Sequence, residues 1–454
     1  MIEVTKTETI ILNSGQCRFN SCYACGWGQK KYPVDTEKLK NQVKQLNLEE
    51  IDKLKIYESG SFLDNKQFPK KFREWLTRYL EEKEVKEVSF ESTANFITEE
   101  NLKTFKESDL DFTVAMGLEA ADNEVLEKYG KPFKIEDYDR AVKKIHESNG
   151  KIKTYIMVNI PFSKPNTLEK SVEHVLEKTN KEDKIVLINT YPHNQSKLFK
   201  DWVKGKWRPL NKEQFLEKIE KWKDHPQVSV EYENMYFIPK FPKKEKKQKE
   251  LKGCSEDLIT HPHYQVWQDY FQRLYQKPRE KEILLFLPCS YKKPYPKSKT
   301  HKAIQKAIKQ TEEQEKIHRV VLSSPGVIPI DKCDNYPFTA YDWPEWEETP
   351  EIKQRYIQVN KDRVKKYIEN HDYKKILAYF KPDSESWKAV KKAGEELDIE
   401  IKNLFKEESY QEVKEQRNPV TKEPALKSLK QELQKNSRKR KRLKTIYSLL
   451  LMCG

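Results

Sequence analysis

The chain has 454 residues, with 87 Lys and Arg against 72 Asp and Glu and a formal net charge of +15. That length supports about two to four domains, each with its own core. With 35% charged residues and no apolar run near the ~20 residues of a helical span, a bitopic or polytopic helical membrane protein is excluded. The basic excess points to a polyanionic partner, most simply nucleic acid. No basic-then-apolar leader opens the chain, and seven unevenly spaced cysteines do not make a disulfide framework. Both observations point to a reducing cytoplasm.

Strand-like and helix-like segments alternate through the first ~225 residues. Strands are expected at 9–12, 54–57, 87–90, 112–116, 153–158 and 185–188, with amphipathic helices between them, for example over 69–82 and 135–148. This repetition predicts a parallel sheet with right-handed crossovers, a partial (β/α)6 barrel whose chemistry sits at the C-terminal strand ends. A basic, Pro-containing stretch at 239–249 reads as an exposed linker. A second α/β pattern follows, with strands at 283–287, 319–323 and 375–380 and helices at 299–310, 352–370 and 385–397. The expected organisation is a barrel over 1–237, a basic linker and helical extension over 238–280, a smaller three-layer α/β domain over 281–406, and a basic tail over 407–454 centred on Arg438–Arg442.

Three cysteines, Cys17, Cys22 and Cys25, lie directly after the first strand. Three thiolates can hold three irons of a four-iron cluster and leave the fourth open to a ligand; zinc is the alternative, but a structural zinc takes four ligands and none is local. Cys254, His261 and His263 are the distant candidates for a fourth. Acids stand after successive strands, in Glu58-Ser59-Gly60-Ser61-Phe62-Leu63-Asp64, then Glu91-Ser92, then Gly117-Leu118-Glu119.

The trio and these strand ends resemble the radical S-adenosylmethionine (radical SAM) superfamily, in its Elongator-like branch. The first gap holds four residues where three are commonest, and Ala24 stands where an aromatic residue often does, with Tyr23 one place earlier. The resemblance implies a [4Fe-4S] cluster on Cys17, Cys22 and Cys25. It implies S-adenosyl-L-methionine contacts from Tyr23, Gly26, Gly60, Ser61, Asp64, Glu91, Ser92, Glu119, Asn159 and His193. With Asn189–Gln195 and Trp207-Arg208-Pro209, residues 1–240 resemble the RaSEA family, the radical SAM subunits of archaeosine synthase.

After the strand at 283–287 comes Pro288-Cys289-Ser290, then Lys292-Lys293-Pro294-Tyr295, Ser298, Thr300 and His301. A thiol, amines, hydroxyls and an imidazole share one strand-to-helix loop, a usual ligand position in α/β proteins. The loop resembles the core-domain signature of the ArcS family, with Pro296 replacing a serine. A second matching stretch is Ser323-Ser324-Pro325-Gly326, followed by Tyr341-Asp342. The resemblance implies a site of Cys289, Lys293, Tyr295, Ser298, His301 and Asp342, in which Cys289 or an incoming amine attacks, His301 acts as acid or base, Lys292 or Lys293 donates or contacts RNA, and Asp342 holds the incoming lysine.

ArcS proteins add free lysine to the nitrile of 7-cyano-7-deazaguanine (preQ0) in tRNA, and RaSEA proteins then cleave the lysine C–N bond to leave archaeosine. The two resemblances together imply a fusion acting on the tRNA D-loop, with free lysine, an electron donor and a separate ArcS subunit as partners and no membrane. Another radical SAM tRNA-modifying enzyme, and a zinc-stabilised non-catalytic RNA-binding adaptor, are the alternatives.

Overall fold

The structure is a computed structural model that describes residues 6–232, 237–246 and 251–435. The basic run at 438–442 and residues 247–249 of the basic stretch therefore fall outside the described residues. The chain divides into two compact units, Met1–Lys240 and Phe241–Gly454.

In the first unit seven parallel strands follow in chain order: β1 (Thr7–Ile11), β2 (Lys53–Tyr57), β3 (Glu87–Glu91), β4 (Asp111–Glu119), β5 (Lys151–Val158), β6 (Lys184–Asn189) and β7 (Val228–Glu231). The helices between them are α1 (Thr36–Lys44), α2 (Lys70–Glu82), α3 (Glu99–Lys106), α4 (Asn123–Tyr129), α5 (Ile135–Glu147), α6 (Thr167–Lys178), α7 (Lys197–Val203) and α8 (Lys212–Ile219). Period-2 alternation puts Leu54, Ile56, Val88, Phe90, Val114, Ile152 and Ile156 on the outer face of the sheet. There they pack against helical stripes such as Phe72, Leu76 and Leu80 of α2 and Tyr138, Val142 and Ile145 of α5. The opposite face carries Lys55, Tyr57, Glu91, Lys153 and Tyr155, none of them fully buried. All six expected strands form. The seventh, β7, escaped the sequence pattern because it is a four-residue edge strand with little burial.

The second unit holds a five-stranded sheet of order β11-β10-β9-β13-β14. Its elements are α9 (Lys243–Lys246), β8 (Leu251–Lys252), α10 (Glu256–Ile259), α11 (Pro262–Arg273), β9 (Ile283–Pro288), α12 (Lys299–Lys309), β10 (Ile317–Ser323), β11 (Gly326–Pro329), β12 (Tyr341–Asp342), α13 (Pro350–Glu369), β13 (Lys375–Ala378), α14 (Glu385–Glu396), β14 (Lys402–Asn403) and α15 (Glu407–Gln411). The main strands are parallel and β11 runs antiparallel to β10. From central β9 the chain winds outward to β10 and then returns to β13 on the other side. Right-handed crossovers then place α12 on one face and α13 and α14 on the other, and make the C-terminal end of β9 the topological switch point.

Two expected boundaries move. The helical extension expected over 238–280 forms as α10 and α11 and belongs to the second unit, where α11 buries Tyr264, Val266, Trp267 and Phe271. Gln268 of α11 bonds both backbone groups of Val327, at 3.0 and 3.1 Å, and so covers edge strand β11. The tail expected from 407 likewise packs in the second unit as far as 435, through Tyr410, Val413, Val420, Ala425, Leu429 and Leu433. The high charge of both segments masked apolar positions at helical spacing.

Candidate active site

The loop after β1 carries Cys17, Cys22 and Cys25, all free and half-buried. It is clamped from two directions. Tyr23 N–H donates to Tyr129 C=O at 2.8 Å, and Ser21 Oγ donates to Gly130 C=O at 2.5 Å. From the loop after β6 His193 N–H donates to Ala24 C=O, and from the first turn of α7 Leu198 N–H donates to Tyr23 C=O, both at 3.1 Å. Burial pushes the Cys22 thiol up to about 11, against the opposing pull of the Lys131 cation. Burial also raises Cys25, while the N–H groups of Gly28 and Trp27 bond its sulfur and favour the thiolate. Each of these thiols also feels the charges of the other two, or of Cys17.

Carboxyls line the neighbouring strand ends. Glu58, just past β2, is buried with neither carboxyl oxygen bonded. The nearby Phe62 N–H is already given to Glu91 C=O at 2.9 Å. Burial first, then the Glu91 charge, raises Glu58 well above the carboxylate range. Glu91 is raised to about 7 by burial and then by Glu119. Glu119 leaves β4 through a register shift with φ of +70° and forms a buried ion pair with Lys131 at 2.7 Å. Ser59 Oγ, Thr93 Oγ1 and Asn189 Oδ1 are also buried without partners at these strand ends.

Several of the expected ligand residues also bond within the frame of the site. Tyr23 donates its hydroxyl to Asp201 at 2.6 Å. Gly26 has no room for a side chain, since a Cβ there would lie 2.9 Å from His193 Cβ. Asp64 pairs with Arg18 and accepts from Lys66 N–H at 2.9 Å. Asn159, at φ +67°, donates to Arg208 C=O at 2.8 Å. Gly60 lies where a Cβ would meet Gln67 Oε1 at 2.2 Å, and that oxygen accepts from Ser61 N–H. Ser61 and Ser92 share a hydrogen bond of 2.6 Å. His193 stacks on Tyr191 at 4.8 Å and meets the edge of Trp27, and burial lowers its pKa to about 4, leaving it neutral. Lys131 and Glu58 were absent from the expected ligand set. The acid of Glu58 was visible in its motif, whereas nothing in the sequence placed Lys131 beside Cys22.

In the second unit Cys289 follows β9 at the switch point. Ser323, ending adjacent β10, bonds its sulfur. Ser323 Oγ is 2.6 Å from the Tyr341 hydroxyl, which is 2.5 Å from the Tyr295 hydroxyl. Lys293 Nζ lies 4.0 Å over the Tyr341 ring. Burial, with Glu345 adding to it, raises the Cys289 thiol, and burial lowers the Lys293 ammonium against the charges of Cys289 and Asp342. Ser298 is an N-cap: its buried hydroxyl accepts from His301 N–H at 3.0 Å at the start of α12. His301 Nε2 donates to Pro288 C=O at 2.9 Å, so buried Nδ1 is left as an unpartnered acceptor. The structure thus joins Cys289, Lys293 and Tyr295, sets Asp342 within their field, and gives Ser298 to the helix. Ser323, Tyr341 and Glu345 complete a set the sequence had not assembled. Lys292 is exposed.

Cys254 donates to Pro344 C=O at 3.0 Å, His261 accepts from His263 N–H, and His263 meets the Tyr336 hydroxyl at 2.9 Å. Among the described residues no three or more His, Cys, Asp or Glu groups are gathered to hold a single metal ion.

An open parallel sheet with three thiols beyond its first strand defines the class. Residues 14–175 match the radical SAM superfamily, and residues 265–433 match a domain of unknown function, DUF5591. The chain carries a radical SAM domain followed by a DUF5591 domain. It is 29% identical over 153 residues to archaeosine synthase of Haloferax volcanii, covering 34% of this chain and 24% of the relative. It is 33% identical over 132 residues to archaeosine synthase subunit alpha of Thermoplasma acidophilum, covering 28% and 24%. An uncharacterized protein of Methanocaldococcus jannaschii is 30% identical over 180 residues, covering 35% and 48%. The chain thus spans about a quarter of the first two relatives and about half of the third.

The radical SAM domain implies a [4Fe-4S] cluster and S-adenosylmethionine, and the residues present fit them. Backbone N–H groups aim at the Cys25 sulfur, a cation stands beside Cys22, and a polynuclear cluster accepts thiolates held farther apart than one ion does. The unpartnered Glu58, Ser59, Thr93 and Asn189 groups offer buried donors and acceptors to a polar ligand. Among the described residues no helix is long and apolar enough to cross a membrane.

Proposed function

We propose that the chain is a tRNA-modifying enzyme of archaeosine formation: its second unit joins lysine to the nitrile of preQ0 in tRNA, and its first unit cleaves the lysine C–N bond of the adduct. The observation that carries this reading is the pairing in one chain of the three-thiol loop with the Cys289–Ser323–Tyr341–Tyr295 network. The archaeosine synthase names of two relatives support it.

Amine addition to a nitrile forms one C–N bond and moves one proton from the amine to the nitrile nitrogen. Lys293, with its depressed pKa, is suited to take the amine's proton, and the linked Tyr295 and Tyr341 hydroxyls to supply one to the nitrile nitrogen. Burial keeps Cys289 a thiol, so the attack is assigned to lysine and a hydrogen-bonding role to sulfur. In the first unit, Cys17, Cys22 and Cys25 would hold the cluster, which supplies an electron for reductive cleavage of S-adenosylmethionine when both are bound. Glu58 and the Glu119–Lys131 pair would receive the polar end of that ligand, and the clamped loop would keep the cluster fixed at the strand ends.

Anaerobically reconstituted protein, given preQ0-bearing tRNA, lysine, S-adenosylmethionine and a reductant, should yield archaeosine, identified by nucleoside mass. Cys22→Ala should stop at the lysine adduct and make no 5′-deoxyadenosine. Cys289→Ala should still form adduct at a reduced rate; complete loss with retained fold would transfer the attack to sulfur. Unchanged nitrile in the wild type would refute the lysine-joining step.

A further inference from the structure

The inner face of β4 is unusually small-sided. Thr113, Ala115 and Gly117 alternate along it, and Ala115 lies between Glu91 of β3 and Lys153 of β5 in one row of the sheet. Adjacent strands stand about 4.8 Å apart, so the two side chains flank a trough roughly 10 Å wide between Cα positions. One row toward the cluster loop, Gly117 is level with Tyr155. A Cβ on Gly117 would meet Glu119 Oε1 at 2.4 Å and Lys131 Nζ at 3.2 Å, so the trough runs up to that ion pair.

Among the described residues, the walls of this trough carry charges that no ion pair satisfies. Lys153 feels Lys55 and Lys53 on one side and Glu231 and Glu91 on the other. Tyr155 hydrogen-bonds Tyr57 and feels both acids. Glu231 ends β7, its side chain on the same inner face through its pairing with Ile188. Among the described residues, Lys55, Lys153, Glu91 and Glu231 form no direct ion pair or side-chain hydrogen bond. By contrast, Lys53, two rows below Glu91 and Lys153, pairs with Glu87 at 2.5 Å. Opposite charges held near one another yet unpaired suit a ligand that brings both signs itself.

We propose that this trough binds the α-amino-acid end of the substrate, its carboxylate at Lys153 and Lys55 and its ammonium toward Glu231 and Glu91. The inference rests on the proposed function, in which the radical SAM domain acts on a lysine adduct. Length agrees: two residues along β4 span roughly 6.6 Å, close to an extended lysine side chain, so its amidine end would reach the Lys131–Glu119 end of the trough. Tyr57 and Tyr155, joined to each other, give the aliphatic chain a flat wall.

The test compares two substrates in the reconstituted holoenzyme: tRNA bearing the lysine adduct, and tRNA bearing the cadaverine adduct, which lacks only the carboxylate. Wild type should prefer the lysine adduct by about tenfold or more in kcat/KM, the scale of one charge-assisted contact. Lys153→Met should collapse that ratio toward one, and Lys153→Arg should restore most of it. Because the ratio is internal to each variant, partial loss of folded protein does not affect it. An unchanged ratio in Lys153→Met overturns the inference. Equilibrium dialysis with N6-(1-iminoethyl)-L-lysine, a small lysine amidine, gives a readout independent of turnover. Binding lost in Lys153→Met supports the trough even if neither tRNA is converted, which would count against the proposed reaction alone. Equal binding by wild type and Lys153→Met, or no binding by either, overturns the trough assignment.

Discussion

Glu91 shows how much one position owes to its surroundings. An ordinary carboxyl near 4.5 is carried to about 7 by burial and by the neighbouring Glu119 charge. The folded chain therefore keeps a proton that the unfolded chain releases, and stability falls as pH rises from about 4.5 through about 7. Glu91→Gln removes that titration. In thermal melts of the cofactor-free protein, the variant should gain on the wild type between pH 5 and pH 8, and a constant difference across that range would contradict the assignment. The residue was legible as an acid at a strand end. Its shift was not, because it depends on Glu119 on the next strand and on the enclosure both share.

At the scale of elements, the loop after β9 and helix α12 act together. Ser298 caps the helix, and the first turn then carries His301 back to the Pro288 carbonyl, which sets its tautomer. Ser298→Ala should cost about 1 kcal/mol of stability, while Ser298→Asp keeps a cap and should retain most of it. Both should form lysine adduct, since the hydroxyl faces a backbone N–H. Loss of adduct formation in a folded Ser298→Asp protein would return Ser298 to the chemistry. The Ser-to-His spacing was read as a string of reactive groups, and the helix boundary explains half of it. Element α11 teaches the reverse lesson: it lay inside the segment expected as a basic linker and helical extension, and its buried aromatics make it part of the second unit's core.

At the scale of the whole molecule, the +15 charge favours a polyanion, and the Arg438–Arg442 run is its densest part. Binding of tRNA should weaken steeply with salt, with a log–log slope of about −0.9 per phosphate neutralised. Truncation after residue 435 should lower affinity and flatten that slope, measured by filter binding across salt concentrations. An unchanged slope would remove the tail from the interface.

By itself the sequence determined the alternation of strands and helices, the three-thiol loop and the Cys289 loop, because buried strands must be apolar and reactive groups must sit at strand ends. Only tertiary structure decided which groups meet. Lys131 beside Cys22, Tyr341 and Ser323 beside Cys289, and Lys153 across Ala115 from Glu91 are neighbours through sheet register and helix packing. Such pairs are distant along the chain, and local pattern carries no record of them.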